Sequence, residues 1–433
     1  MSQTPESVTK PPCLPLPTPV GYAGRGSDAF SEAPACSEPS ERRRAFWGVM
    51  ACFLVHGLVV STWVSRIASV KSALHLGDGA LGLALLGTAI GSVTAIPLCG
   101  ALVVRRGSRN IARWTAAGFC LSLVAIPVAY DTASLFAALL FYGAMAGAND
   151  VAMNAQAVAT EKLLGTPTIS RFHAMFSIGG IAGAGAGAFI AGRGVPSAAH
   201  LVWAAAIFLT FAQLATPLLA DTRARHTGAA ARRGRPSLRR LPVALLALSA
   251  IGFCIFLSEG AIADWTGVYL KQVLGAGAGL APIGYAVFSA AMAIFRLTGD
   301  AITLRIGRAA TIRYGGALAA AGLSFALLVH SPYWALAGFA AAGAGFSSII
   351  PLVFAAGGRI PEVSEGAGVA TVSGLGYLGF LVGPPAIGFL SELTSLRVGL
   401  CLLVALSAAA AALVSVVVRT TGGKSNPFAD TGN

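Results

Sequence analysis

Between residues 46 and 418 the chain breaks into twelve long apolar runs separated by short polar connectors. A membrane-spanning helix needs about 20 mostly apolar residues, because the hydrocarbon core is roughly 30 Å thick and every backbone group inside it has to be bonded internally. The runs cover 46–67, 80–104, 111–130, 134–160, 172–190 and 201–219, then 241–270, 282–302, 311–329, 333–356, 367–390 and 396–418. They predict an all-α membrane protein with twelve transmembrane helices. With 55% hydrophobic and 11% charged residues, the chain falls well short of the roughly one-quarter charged side chains of soluble domains, so a water-soluble fold is excluded.

Charge placement sets the orientation. With the N-terminus in the cytoplasm, 24 of the 30 Lys and Arg fall on the cytoplasmic side. Five, Arg66, Lys71, Arg193, Lys271 and Arg397, fall on the other, and Arg296 lies within the eighth run. The positive-inside rule then predicts both termini in the cytoplasm. The net charge of +13 is confined to connectors with no basic face or interleaved aromatics, so no nucleic-acid partner is expected. Five of the seven cysteines lie in apolar runs and imply no disulfide framework.

Residues 1–43, rich in Pro, Ser and Thr and without the apolar core of a signal peptide, read as a disordered cytoplasmic tail. Residues 44–220 form an N-terminal six-helix half, 221–240 a basic cytoplasmic linker, 241–420 a C-terminal six-helix half and 421–433 a cytoplasmic tail. The chain repeats itself at an offset of 200 residues: Lys71 matches Lys271, Gly77 Gly277, Arg105 Arg305, Gly107 Gly307, Arg113 Arg313, Gly143 Gly343 and Gly179 Gly379. Two halves of the same topology are therefore expected, related by an axis along the membrane normal, with a cleft between them near the midplane.

Twelve spans in two parallel halves, a long central loop and a basic turn after the second span together resemble the major facilitator superfamily. Its loop motif Gly-x-x-x-Asp-Arg-x-Gly is matched by Gly100, Arg105 and Gly107 in GALVVRRGSRN, with Val104 at the Asp position. The second copy, FRLTGDAITLRIGR, keeps Arg305 and Gly307 and carries Asp300 one turn earlier. NDVAMNAQ at 149–156, FHAMFSIGG at 172–180, EGAIADW at 259–265 and GYLGFLVGPPAIGF at 376–389 resemble the bacterial branch that includes proposed rhizopine transporters. The resemblance covers about residues 44 to 420 and implies a monomeric multi-pass transporter of the bacterial inner membrane.

A carboxylate at bilayer depth costs at least about 2.5 kcal/mol, so each needs a partner, a wet cavity or a proton. Glu259, deep in the seventh run, suits a proton carrier if it faces the cleft and a structural hydrogen bond if it does not. Asp150 and Asn154 share a helix face, with Asn149 and Gln156 beside them, and either bind and couple or fix neighbouring helices. Asp264 reads as a helix-end charge or, with Arg66, an outer gate. Arg296 and Asp300, four apart, are expected to pair. His56 and Trp63 share a face of the first span, where Trp63 is a stacking platform or an interfacial anchor. His173 reads as a packing residue.

No Walker loop, HExxH, paired CxxC or nucleophile elbow occurs, so enzymatic chemistry, a metal and a cofactor have no support. The expected function is secondary active transport by alternating access, proton-coupled, of a small polar solute of sugar or polyol type. Asn149, Asn154, Gln156, Ser177, Ser347 and Tyr377 would supply hydrogen bonds. The alternatives are efflux of amphipathic compounds and a non-transporting membrane sensor.

Overall fold

The computed structural model describes residues 39–166, 168–220, 241–421 and 427–428. All regular structure among them is helical. The first half contains α1 (Pro39–Val64), α2 (Ile67–Ala73), α3 (Asp78–Arg106), α4 (Ser108–Ala125), α5 (Thr132–Leu164), α6 (Ile169–Gly192) and α7 (Ser197–Ala215). The second contains α8 (Val243–Gln272), α9 (Ile283–Ile306), α10 (Arg308–Leu328), α11 (Pro332–Phe346), α12 (Ile349–Gly357), α13 (Glu365–Leu393) and α14 (Leu396–Thr421). Twelve spans result among the described residues, since α1 runs on into α2 and α11 into α12. The linker 221–240, residues 1–38 of the expected tail and most of 421–433 lie outside the described residues. The start of α1 at Pro39 makes the last five residues of the expected tail helical.

Local chemistry explains the joints. Ser65 Oγ donates to the Thr62 carbonyl at 2.8 Å and Ser347 Oγ to the Ala344 carbonyl at 2.7 Å, and a serine bonded back onto its own helix competes with the helical ladder where α1 and α11 break. Helix α3 reverses into α4 through Gly107 at φ 80°, and α9 into α10 through Gly307 at φ 83°, a region glycine enters without steric cost. At the start of α5, Asp131 accepts the Ser134 backbone N–H at 2.8 Å in a capping box.

The repeat is present in three dimensions. A Cβ on Gly143 would meet the Thr88 carbonyl oxygen at 1.9 Å, and one on its repeat mate Gly343 would meet the Phe288 oxygen at 2.2 Å. Those pairs are themselves 200 residues apart, so α3 on α5 and α9 on α11 are one packing made twice. In a bilayer, where lipid is as apolar as leucine, such small-residue contacts hold helices together by close approach.

The close approaches between halves cluster at the end of the bundle away from the linker. There α3 meets α13, with the Gly79 N–H donating to Glu392 Oε2 at 3.0 Å, and the end of α6 meets the turn that precedes α9, with Gly279 against Gly192. Lys71, ion-paired with Asp78, also donates to Gln272 Oε1 at 2.6 Å.

Candidate solute and coupling site

Helices α5 and α6 of the first half and α8, α9 and α13 of the second bring polar side chains toward one another between the halves. Asp150 is exposed and accepts a hydrogen bond from Asn154 Nδ2 at 3.1 Å, as their spacing of four on α5 predicts. Tyr377 on α13 is 46% exposed and lies within electrostatic reach of both Asp150 and Glu259. Arg296 on α9 acts likewise on Glu259 and on His173 of α6. Two side chains of the second half thus each connect a titratable group of the first with Glu259. Glu259 Oε1 is buried and has no hydrogen-bond partner among the described residues.

The arginine itself is held firmly. Arg296 Nε donates to the Ser347 carbonyl at 3.1 Å and its Nη2 to Met292 Sδ at 3.1 Å. The Ser347 carbonyl is freed where α11 breaks, so the break gives the guanidinium its seat. This corrects the expected pairing: no ion pair joins Arg296 to Asp300, which is exposed nearer the end of α9.

Other expected site residues lie within the halves. His56 is buried, its Nδ1 2.9 Å from Asn149 Nδ2 and its ring beside Phe119 and Phe176. Thr115 Oγ1 donates to Asn149 Oδ1 at 3.3 Å, so this network ties α1, α4 and α5 rather than lining the cleft. Gln156 is fully buried and donates to Ser108 Oγ at 2.8 Å and the Ala220 carbonyl at 3.0 Å, closing the linker end of the first half. Trp63 is buried with its ring 6.4 Å from that of Tyr142, which places it in the core and not at a membrane interface. Ser347 is buried on its own helix, and Ser177, half-buried on α6, donates to the His173 carbonyl at 3.4 Å.

The gate expectation also changes. Arg66 is buried where α1 breaks, and its Nε donates to His200 Nδ1 on α7 at 2.8 Å. Asp264 is not among its partners. Asp264 is half-buried and acts instead on Tyr142 and Tyr285, phenols that sequence reasoning passed over. A tyrosine hydroxyl inside an apolar span was the available signal. Of the loop motif, Gly107 makes the turn, Gly100 faces open space, and Arg105, Arg305 and Val104 are exposed. Among the described residues no three His, Cys, Asp or Glu side chains converge as metal ligands would.

Comparison with known proteins places this architecture. The family model described as Major Facilitator Superfamily matches residues 45–364. An uncharacterized MFS-type transporter of Yersinia pestis is 35% identical over 367 residues, spanning 83% of this chain and 93% of that protein. Membrane protein MosC of Rhizobium meliloti is 33% identical over 376 residues, spanning 87% and 90%. Among solved structures, the nucleoside transporter NupG superposes with a TM-score of 0.67 at 12% identity, covering 87% of this chain and 98% of its own. A bacterial homolog of the human lysosomal transporter Spinster, inward-facing and occupied, gives 0.67 at 16% identity, covering 89% and 98%. At these identities the two structures share the fold.

Proposed function

The chain belongs to the Major Facilitator Superfamily, and on that premise we propose that this membrane transporter moves a small polar organic solute by alternating access, driven by protons. The observation that carries the reading is the grouping of Glu259, Arg296, Tyr377, Asp150 and His173 between the halves. A carboxylate at this depth with an unpartnered oxygen is costly while ionised, and protonation or a solute donor relieves that cost. Asp150, Asn154 and Tyr377 offer the solute hydrogen-bonding groups. The halves touch at the end away from the linker, so the cleft opens toward the linker end. The 24-to-5 cationic bias makes that end cytoplasmic in a bacterial inner membrane.

A thermal-shift screen of sugars, polyols, amino acids and amphipathic drugs identifies the solute, since a ligand of the folded state raises its stability. In proteoliposomes the wild type should accumulate that solute under an imposed proton gradient. Glu259→Gln should abolish accumulation while leaving exchange at least partly intact. Undiminished uphill transport by this variant would move the coupling site to Asp150 or elsewhere.

Efflux of amphipathic compounds is the second reading, favoured by the rings beside Tyr377: Phe256 lies 4.9 Å from it and 5.0 Å from Phe380. Hits confined to the amphipathic drugs would select it.

A further inference from the structure

At the linker end of the first half, a cavity of about 150 Å³ is lined by Arg106, Gly107, Arg109, Asn110, Arg113, Thr216 and Pro217. It sits on the first turn of α4, whose backbone N–H groups have no helical acceptors and whose dipole favours an anion. Arg109 Nη2 donates to the Pro217 carbonyl at 2.7 Å and Arg113 Nε to Gln213 Oε1 at 3.0 Å, which anchors both guanidinium groups against the end of α7. Among the described residues no acidic side chain lines the space. A further polar atom in the same lining is unsatisfied: Thr216 is 1% exposed, and its Oγ1 is buried without a hydrogen-bond partner among the described residues.

We propose that this cavity binds a phosphate group, and that its occupant is the headgroup of an anionic phospholipid. Three arginines around one concave site match the oxygens of a phosphate diester, with the Thr216 hydroxyl and the Asn110 amide as neutral donors. Basic charge at this end serves topology alone if it is merely dispersed, but topology requires neither a cavity nor a buried unpartnered hydroxyl. The repeat gives an internal contrast: Ile306, Ala309 and Ala310 stand at the mates of Arg106, Arg109 and Asn110, although Arg313 is kept and Arg308 replaces Ser108. The fold therefore does not need this cluster in order to turn from one span to the next. The helices that carry the lining also carry exposed apolar side chains close by in sequence, Trp114 on α4 at 72% and Phe211 and Leu214 on α7 at 61% and 69% exposure, and these suit acyl chains better than a free inorganic anion.

The test measures binding of a short-chain phosphatidylglycerol, phosphatidylcholine or inorganic phosphate to the purified full chain at fixed salt. Phosphatidylglycerol should bind, the other two should not at the same concentration, and Arg113→Gln should weaken it about tenfold, as loss of a charge-assisted bond does. Thr216→Val, which keeps the side-chain shape, should weaken it to a smaller degree and guards against a folding defect in the arginine variant. Arg308→Gln with Arg313→Gln, a larger loss of charge in the second half, should leave it unchanged. Equal weakening by that control pair, or phosphatidylcholine binding as tightly as phosphatidylglycerol, would overturn the site. Inorganic phosphate binding as tightly would overturn the lipid assignment.

Discussion

Lys71 donates to Gln272 Oε1 at 2.6 Å across the two halves, and its repeat mate Lys271 donates to Ser72 Oγ at 3.1 Å, so one contact is made twice in opposite directions. An axis relating the halves passes between these pairs, and they tie shut the end away from the linker. The two ties are unequal because Lys71 is buried and also ion-paired with Asp78, whereas Lys271 is only half-buried. Lys71→Met should therefore destabilise the protein by about 1–3 kcal/mol, since it strands a largely buried carboxylate. Lys271→Met should stay within about 0.5 kcal/mol of wild type. Unfolding of both variants in detergent measures the difference.

The same end depends on glycine where α3 crosses α13. A Cβ on Gly82 would lie 2.6 Å from the Pro384 carbonyl oxygen and 3.0 Å from Gly388 Cα. Gly82→Val should wedge the halves apart and speed labelling of a cysteine placed at Ala188, which is 5% exposed beside Gly279. Gly100 has nothing among the described residues within 4 Å of its added Cβ. Gly100→Ala should leave labelling unchanged and stability equal or higher by up to about 1 kcal/mol.

Arg66 and His200 make a double-mutant prediction. Because Arg66 Nε bonds His200 Nδ1, Arg66→Gln and His200→Ala should be non-additive in stability by about 0.5–3 kcal/mol. Arg66→Gln with Asp264→Asn should add within about 0.5 kcal/mol, because the two residues share no bond.

At the tip before α5, the Ser134 hydroxyl and backbone N–H hold the Asp131 carboxyl below its ordinary value of 3.8. A depressed carboxylate contributes stability that is complete above the ordinary value and is lost as pH falls through the lower folded one. Asp131→Ala should melt earlier than wild type at neutral pH, and the gap should narrow as pH falls below 3.8 toward the lower folded value. Asp131→Asn keeps an N-cap and should melt near wild type at neutral pH with a weaker acid dependence.

The spans and the repeat were legible because each is written in local pattern: apolar run length, a fixed offset, and Gly107 and Gly307 at the turns. Asp150 with Asn154 was legible for the same reason, as spacing of four fixes a shared helix face. Contacts between distant segments were not. His56 meets Asn149 across 93 residues and Arg66 meets His200 across 134, and helical periodicity does not say which helix lies opposite a face. The Arg296 and Asp300 expectation failed because the break after Phe346 offers the guanidinium a carbonyl that only the tertiary structure reveals.

Alternating movement of the two ends is the central claim, and spin-label distances in proteoliposomes test it most directly. One pair, Ala133 with Tyr333, reports the end where the halves touch, and another, Lys162 with Glu362, reports the linker end; all four residues are exposed and each pair consists of repeat mates. Between pH 8 and pH 5 the account predicts that one distance lengthens as the other shortens, and that Glu259→Gln holds both near their acid values at either pH. Distances that change together, or that ignore both pH and the Gln variant, would contradict it.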